Sequence, residues 1–263
     1  MIDSVWVYIG ICLAGLGGFW QRSLSMSGAI AAVITGIAVY FGQGFAGLFL
    51  LGVFFVTSSS WSKFKRSEKS EMEERLAKGS IRDWRQVAAN GGAAALFSIL
   101  YYFFPNIVWL IGFAVSIASS NSDTWASEIG SLSKRKPIYI RTFKPIEKGT
   151  SGAISLLGTM AAVLGSSLIA VCAVIVFHLD FFYFLMIFLF GFFGNLLDTL
   201  IGAFYQKVYV CQKCGIETEK SVHCRSAAIR IKGIPLVDND MVNFVSGFFA
   251  SLLAMAVIFL INL

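Results

Sequence analysis

The feature that most limits the folds open to this chain is a series of charge-poor apolar segments, most of them long enough to cross a membrane. Apolar residues make up 57% of the sequence and charged residues only 14%, more apolar surface than a soluble core of this size can bury. We therefore predict an all-α membrane protein, a polytopic bundle of seven or eight spanning helices. The predicted spans are residues 5–20, 26–42, 44–61, 87–104, 107–122, 151–178, 181–204 and 241–262. The count is open because only Gly42–Gly44 separates the second and third segments, which form either a hairpin or one re-entrant element.

The lysines and arginines indicate which side of the membrane the loops occupy. All 21 fall in four places: Arg22, eight in 62–85, six in 123–150 and six in 205–240. If eight spans alternate, these lie on one side, which the positive-inside rule places in the cytoplasm with both termini outside. We predict an integral protein of the cytoplasmic membrane whose active site faces the cytoplasm. The net charge of +6 then reflects topology and attraction to membrane lipids or nucleotide phosphates, and nucleic acid is not an expected partner.

The loops are short compared with a folded domain, so residues 1–263 are predicted to form a single integral membrane domain. The first apolar segment has no basic region before it and no cleavage pattern after it, so we interpret it as a retained span. In the 62–85 loop, charges of both signs predict a solvated helix, with Glu71 or Glu74 facing Arg75 or Lys78.

Polar side chains at membrane depth point most strongly to function, because ionisable groups in lipid are costly and face the protein interior. The fifth span ends in a polar face with Asp123, and Asn121 and Glu128 lie close to it. In the seventh span, a carboxylate and an amide share a face with small glycines, which let a neighbouring helix approach. The eighth opens with aspartates and asparagines, and these aspartates are either helix caps or ligands. The residues concerned are Asn195 and Asp198 in the seventh span and Asp238, Asn239, Asp240 and Asn243 in the eighth.

Carboxylate and amide oxygens converging from three helices suit Mg²⁺, which uses one or two carboxylates together with substrate phosphates. The predicted Mg²⁺ ligands are Asp123, Asp198 and Glu128.

A second group of features suits phosphate. Lys144 and Lys148 precede a Gly-Thr-Ser-Gly turn, Gly149–Gly152, directly before the sixth span. Free N–H groups at a helix N-terminus beside lysines bind phosphate well. A turn rich in glycine and serine is, however, also common before helices that bind no ligand. Arg82 and Asn90 lie at helical spacing where the fourth span begins, and the guanidinium suits either phosphate or the membrane interface.

The cysteines of the 205–240 loop suggest a metal. Cys211 and Cys214 have the spacing of half a zinc ribbon, and His223 and Cys224 follow. Because adjacent residues do not easily reach one tetrahedral ion, free thiols are the alternative to Zn²⁺. A disulfide is disfavoured in a cytoplasmic loop.

Five of these segments, in order, resemble the motifs of the integral-membrane family of phytyl-phosphate kinase and transmembrane protein nineteen. They are GSIRDWRQVAANGG, NSDTWASEIG, KPIEKGTSGAISLLGT, GFFGNLLDTLIGA and DNDMVNF. The resemblance runs from about Gly28 to Ser246 and implies phosphorylation of an isoprenoid monophosphate to its diphosphate by a nucleoside triphosphate. The segment D-T-x-A-S followed by a Gly-Thr loop is also similar to CTP-dependent dolichol and phytol kinases, which implies CTP as a candidate donor.

Matching the motifs residue by residue implies which positions form the site. The family pattern Gly-Thr-Asn-Gly has serine here at its third position, Ser151. The matched positions are Asn121, Asp123 and Glu128; Lys148, Gly149 and Thr150; Asn195 and Asp198; and Asn239 and Asn243.

We therefore hypothesise a kinase in which the carboxylates bind Mg²⁺ and the basic side chains bind phosphoryl oxygens. Asp123, Asp198, Glu128 and Lys148 would be catalytic, assisted by Lys144 and Arg82. The alternative is a transporter or carrier in which the same buried carboxylates bind a coupling ion and the basic rim recruits an anionic lipid or small anion.

Overall fold

The computed structural model describes residues 2–261, and the side chains of all of these except residues 2–4, 70, 71 and 73. The helices are α1 (Ile2–Trp20), α2 (Met26–Lys63), α3 (Ser70–Arg75), α4 (Trp84–Phe103), α5 (Ile107–Gly130), α6 (Leu156–Phe177), α7 (Phe181–Phe204) and α8 (Asn239–Ile261). The strands are β1 (Ile138–Tyr139), β2 (Lys144–Pro145), β3 (Ala153–Ile154), β4 (Val208–Val210), β5 (Glu217–Thr218), β6 (Val222–His223), β7 (Ser226–Ala227) and β8 (Ile229–Lys232).

Helix α2 is a hairpin of two arms, residues 26–43 and 45–63. At the bend, Gly44 has φ +60° and ψ −150°, a conformation essentially restricted to glycine. A Cβ on Gly36 would lie 3.9 Å from Cδ2 of Leu48, whereas a straight helix would hold two residues twelve apart about 18 Å away from each other. The two arms therefore fold back on each other, a geometry that a pair of spans and a re-entrant element share.

Helix α5 forms the centre of the bundle. Every residue from Leu110 to Ser122 is buried, and α2, α4, α6, α7 and α8 all contact this helix. The expected close approach of α7 is present: a Cβ on Gly191 would lie 2.6 Å from Cβ of Ala118. Because neighbouring helices rather than lipid surround α5, its serines and asparagine find protein partners.

Four helices in the described part of the chain are long and apolar enough to cross a membrane, namely α2, α6, α7 and α8. Large apolar side chains remain exposed on their outer faces, for example Phe49, Leu164 and Phe259, as expected of lipid-facing surface. The apolar part of α1, residues 5–20, is shorter. The interior helix α5 is not among the four because it carries many small polar residues. The figure of seven or eight spans, like the position of the termini, stays a prediction.

The basic loops meet at one end of the bundle. The backbone N–H of Ser25 donates to Arg82 O, and that of Glu219 donates to Arg75 O. Two three-stranded sheets, β2-β1-β3 and β5-β4-β8, and the β6-β7 hairpin lie in these loops. The expectation of an all-α chain is therefore wrong for the loops, whose short strands pair without any long alternating pattern in the sequence.

Two other expectations for the loops are corrected. Between α2 and α4, the helical elements are a 3₁₀ turn, Arg66–Lys69, and the six-residue α3, and Lys78 lies beyond α3. Lys78 pairs with Asp83 at 2.8 Å and with Asp240 at 2.5 Å, so these contacts replace its expected pairing with a glutamate of the same helix. The side chain of Glu71 lies outside the described residues.

Candidate active site

A polar cavity of about 580 Å³ opens at the basic end of the bundle. Its walls are the ends of α4, α5, α7 and α8 and the loops 64–83 and 205–238. A smaller cavity of about 180 Å³ adjoins it beside the loop 148–155. Asp123, Asp198, Glu219 and Asn239 line both cavities, so acidic and amide side chains occupy the place where the two meet.

Helices α5, α7 and α8 position the two intramembrane aspartates. Asn195 lies one turn before Asp198 on α7, and its Nδ2 donates to Asp123 Oδ1 at 3.2 Å. Ser246 Oγ of α8 donates to Asp198 Oδ2 at 3.3 Å. In the amide orientation that satisfies both its polar atoms, Asn243 also donates to Asp198 Oδ2, at 2.9 Å. The two aspartates thus accept hydrogen bonds from neutral groups of α7 and α8.

Glu219 is a third acid at this junction. Its carboxylate accepts hydrogen bonds from Gln206 Nε2 at 2.6 Å, Ser151 Oγ at 3.3 Å and the backbone N–H of Ala77 at 3.1 Å. Burial raises the pKa of Glu219, and these hydrogen bonds oppose the rise. Asp198 is close enough to Asp123 and Glu219 for their charges to interact.

In the part of the chain that the structure describes, these three acids form no ion pair. Among residues 2–261, no lysine or arginine lies within ion-pair distance of Asp123, Asp198 or Glu219. Buried carboxylates are normally paired or bound to a metal. A cation from outside the chain is one way to compensate such carboxylates, and protonation is the other.

The acids on the rim of the cavity are paired with cations instead. Asp238 Oδ2 lies 2.9 Å from Arg85 Nη2, and Asp238 Oδ1 accepts the Met241 N–H at 3.1 Å. Burial tends to raise the pKa of Asp238, but the Met241 N–H, Lys207 and Arg85 hold it below its ordinary value. Of the two roles open to Asp238, the structure shows the helix cap.

The glycine-rich loop lies beside the acids but is not the start of a helix. Gly149 and Gly152 have φ of +82° and +86°, and Lys148 to Ser155 line the smaller cavity. Strand β3 and Ser155 separate the loop from α6, and Ser155 Oγ accepts the Gly158 N–H at 3.1 Å. The expected placement at the N-terminus of the sixth span is wrong, because a serine already caps that helix.

The two lysines of this segment are separated. Lys148 lines the smaller cavity. Lys144 is exposed in β2, is the backbone partner of Tyr139 in β1, and lines neither of the two polar cavities. Asn121 is also away from both cavities. It is fully buried, accepts Thr57 Oγ1 at 3.2 Å and donates to Gly165 O at 2.8 Å, so it joins α2, α5 and α6.

The protein partners of Glu128 account for a charged side chain at this position without a metal ion. Its Oε1 accepts Ser62 Oγ at 2.6 Å, and its Oε2 lies 2.6 Å from Nζ of Lys69, whose side chain is 2% exposed. Lys69 Nζ also donates to Trp61 O at 2.7 Å. Glu128 lines the large cavity, but the contacts make it the anchor of the 64–75 segment.

Glu128→Gln should therefore destabilise the fold, because it leaves the ammonium of Lys69 buried without a counter-charge. We expect a loss of about 3 kcal/mol, the lower end of the range for a broken buried pair, measured by thermal unfolding in detergent. Glu147→Gln, which breaks the exposed pair with Lys136, is the matched control and should leave the unfolding midpoint unchanged. Unchanged stability of Glu128→Gln with weakened Mg²⁺ dependence would restore Glu128 as a metal ligand.

An apolar groove of about 600 Å³ reaches the polar cavity from the membrane side. Helix α1 and both arms of α2 form it, and Arg82, Gln86 and Asn90 line both the groove and the large cavity. Arg82 Nη1 donates to Ser59 Oγ at 2.9 Å. Burial lowers the pKa of Arg82, while the charge of Glu128 acts in the opposite direction. The apolar groove thus ends beside the cationic side chain of Arg82.

Several cavity-lining residues were not predicted from the sequence. Glu219 and the cavity-lining lysines Lys69, Lys78, Lys207 and Lys220 lie in loops where charged residues are ordinary. Nothing in their local sequence distinguishes them from solvated charges, so only the tertiary contacts identify them.

The sequence is similar to membrane proteins from an archaeon and a plant. The profile of the family described as integral membrane protein DUF92 matches residues 9–251, which include all five motifs above. An uncharacterized membrane protein of Methanocaldococcus jannaschii is 38% identical over 200 residues, 75% of this chain and 81% of that protein. Protein PGR of Arabidopsis thaliana is 29% identical over 259 residues, 89% of this chain and 88% of PGR.

Chloroplastic VTE6 of Arabidopsis thaliana is 31% identical over 153 residues, 56% of this chain and 46% of VTE6. No solved structure matches. With these relatives, the resemblance drawn from the motifs is confirmed, and the chain is a multi-pass integral membrane protein.

Proposed function

Because the chain belongs to the integral membrane family DUF92, we propose that it is a kinase that converts an isoprenoid monophosphate to the diphosphate. The donor is a nucleoside triphosphate, with CTP the first to test, and the cavity faces the cytoplasm. The reaction comes from the family that the motifs resemble and that includes VTE6.

One observation carries the proposal: three carboxylates that form no ion pair among the described residues lie between a cavity whose lining includes lysines and arginines and a glycine-rich loop. Two charged phosphate substrates must be brought together in such a reaction, and each needs positive charge around it. The larger cavity supplies cationic side chains for one, and Lys148 with the loop Gly149–Gly152 supplies contacts for the other.

The donor atoms suit Mg²⁺. Asp123, Asp198 and Glu219 offer carboxylate oxygens, and Asn239 offers an amide oxygen, all hard ligands of the kind that this ion prefers. Bound there, Mg²⁺ would neutralise charge on the phosphoryl group being transferred. Asn195 and Ser246 orient the two aspartates by donating hydrogen bonds to them.

The chemistry needs little from a general base. An oxygen of the lipid monophosphate forms a bond to the γ-phosphorus of the nucleotide, and the bond from that phosphorus to the β,γ-bridging oxygen breaks. The products are the lipid diphosphate and the nucleoside diphosphate. Because the attacking oxygen is already ionised near neutral pH, positioning and charge neutralisation by Lys148 and Arg82 carry the catalysis.

The apolar groove suits the isoprenoid chain. It is lined by apolar residues of α1 and α2 and opens into the cationic cavity beside Arg82, as an amphiphile with an anionic head requires. We assign the chain to the groove and the phosphate to the side of Arg82, Gln86 and Asn90.

Gly10→Phe tests this assignment. Gly10 lines the groove about 15 Å from the basic end of α1, and no atom lies within 4 Å of a Cβ placed there. The phenyl ring should block the far part of the groove, so KM for geranylgeranyl phosphate should rise at least about tenfold while KM for geranyl phosphate changes little.

Gly17→Phe is the matched control, since Gly17 lies on α1 with equally open space but does not line the groove. Equal KM values for both chain lengths in Gly10→Phe would place the chain elsewhere.

The function is tested with purified protein in detergent, Mg²⁺, a panel of γ-labelled nucleotides and phytyl or geranylgeranyl monophosphate. Labelled lipid diphosphate supports the kinase and names the donor. If folded protein yields no product with any donor, the kinase is rejected. Substrate-dependent ion flux into liposomes without nucleotide consumption would then identify a transporter.

A further inference from the structure

Two turns in the 205–238 loop bring four metal-ligating side chains together. Cys211 and Cys214 flank the turn after β4, where the Cys211 N–H donates to Ile216 O at 3.0 Å and Gly215 N–H donates to Cys211 O at 2.8 Å. His223 and Cys224 lie at the β6–β7 hairpin, in which His223 pairs with Ser226. The two turns face each other: Cys211 Sγ lies 3.7 Å from His223 O.

The ligand atoms have the separations of a tetrahedral site. One ligand atom from each of Cys211, Cys214, His223 and Cys224 lies within 4.8 Å of all the others. His223 Nδ1 is 3.4 Å from Cys214 Sγ and 3.3 Å from Cys224 Sγ. Zinc bonds of about 2.3 Å to sulfur and 2.0–2.1 Å to nitrogen place tetrahedral ligand atoms about 3.5–3.8 Å apart. The cluster therefore needs only small shifts to surround one ion.

The backbone explains how adjacent residues reach the same ion. Cys224 and Arg225 both have positive φ, +51° and +54°, which turns the Cys224 side chain back toward His223. A two-residue hairpin with two left-handed residues favours Asn-Gly, so Cys-Arg is strained there by about 1–3 kcal/mol per residue. The turn removes the obstacle expected from the adjacency of His223 and Cys224, and a bound metal would compensate the strain.

We propose that Cys211, Cys214, His223 and Cys224 bind one structural Zn²⁺. Three thiolates and an imidazole form a closed site with soft ligands, which separates it chemically from the oxygen ligands at the acidic junction. The argument for this site does not rest on the proposed kinase reaction.

The zinc site also braces one wall of the large cavity. Tyr209 precedes Cys211 by two residues, and Lys220 precedes His223 by three; both line the cavity. Thr218 Oγ1 donates to Arg75 O at 2.8 Å, and Glu219 accepts from Gln206 and Ser151. Zinc therefore joins the two turns on either side of the segment that carries Glu219, and these hydrogen bonds hold that segment against the bundle.

The test is the zinc content of detergent-purified full-length protein, isolated with an affinity tag that contains no histidine. We expect about one Zn²⁺ per chain in the wild type by elemental analysis, and at least a tenfold lower content in Cys214→Ser. Replacement of Zn²⁺ by Co²⁺ should produce the visible absorption of a tetrahedral cobalt–thiolate site. Trypsin should cleave the wild-type protein beside Lys213 and Arg225 at least tenfold faster after the metal is removed by chelation. Because this experiment uses the wild-type protein, it does not depend on the folding of a variant.

Cys12→Ser and Cys172→Ser are the matched controls, since these cysteines lie in α1 and α6, and both should keep their zinc. Wild-type protein without stoichiometric zinc, or with Cys211 or Cys214 in a disulfide, would overturn the proposal. So would zinc retained in full by Cys214→Ser. Metal content is read without any kinase assay, so this result and that of the kinase test are distinguishable.

Discussion

Asp123→Asn and Asp198→Asn should each reduce phosphoryl transfer by at least about 10³-fold, an effect as large as the loss of a principal electrostatic contact in other enzymes. Each substitution removes one negative charge from a junction that lacks any cationic side chain within ion-pair distance among the described residues. An asparagine oxygen can still accept the hydrogen bonds from Asn195 or Ser246, so the packing of α5, α7 and α8 is preserved. The measurement is labelled lipid diphosphate formed at a series of Mg²⁺ concentrations.

Asp180→Asn is the matched control for these variants. Asp180 lies at the opposite end of α7 from Asp198, is exposed, and makes no side-chain cap hydrogen bond. It should retain wild-type turnover. Wild-type turnover in folded Asp123→Asn or Asp198→Asn would exclude the two aspartates from metal binding.

Lys148→Met should lower kcat/KM by about 10²–10³-fold, because the ammonium beside the glycine-rich loop is expected to contact phosphoryl oxygens in the transition state. The variant keeps most of the aliphatic chain and removes only the charge. Turnover with saturating nucleotide and lipid phosphate separates an effect on kcat from one on KM.

The neighbouring lysine provides the control. Lys144 belongs to the same basic segment but is exposed in β2 and lines neither of the polar cavities described here. Lys144→Met should therefore behave like the wild type. Equal losses in the two variants would mean that the loop contacts phosphate in an arrangement different from the proposed one.

Site residues on the helices were predictable from the sequence, whereas most of those in the loops were not. Asp123, Asp198 and Asn195 are predicted because a polar group in an apolar segment stands out. The structure places the two aspartates at the cavity junction, with Asn195 hydrogen-bonded to Asp123. Asn121 stood out in the same way, yet its polar atoms are used to join three helices. Polarity in a span predicts burial against protein, and it does not by itself distinguish a ligand from a packing contact.

Loop residues gave no comparable signal. Lys144 and Lys148 are four positions apart and look equivalent, but the antiparallel pairing of β1 with β2 turns one away from the site. Glu219 and Lys78 read as solvated charges, and their roles depend on contacts with residues about 70 to 160 positions away. Adjacent residues such as His223 and Cys224 do not easily reach one tetrahedral ion, but the left-handed turn at Cys224 brings Sγ of Cys224 to 3.3 Å from Nδ1 of His223.

The sequence by itself determined that the chain lies in a membrane, that its basic loops share one side, and that its helices carry buried acids. These properties follow from the transfer of individual side chains between water and lipid, which depends on local composition. Only the tertiary structure decided which polar groups are paired, which are left without partners, and how the cavity, the apolar groove and the cysteine turns are placed. Those outcomes depend on loop backbone conformation and on contacts distant in sequence, which no local pattern encodes.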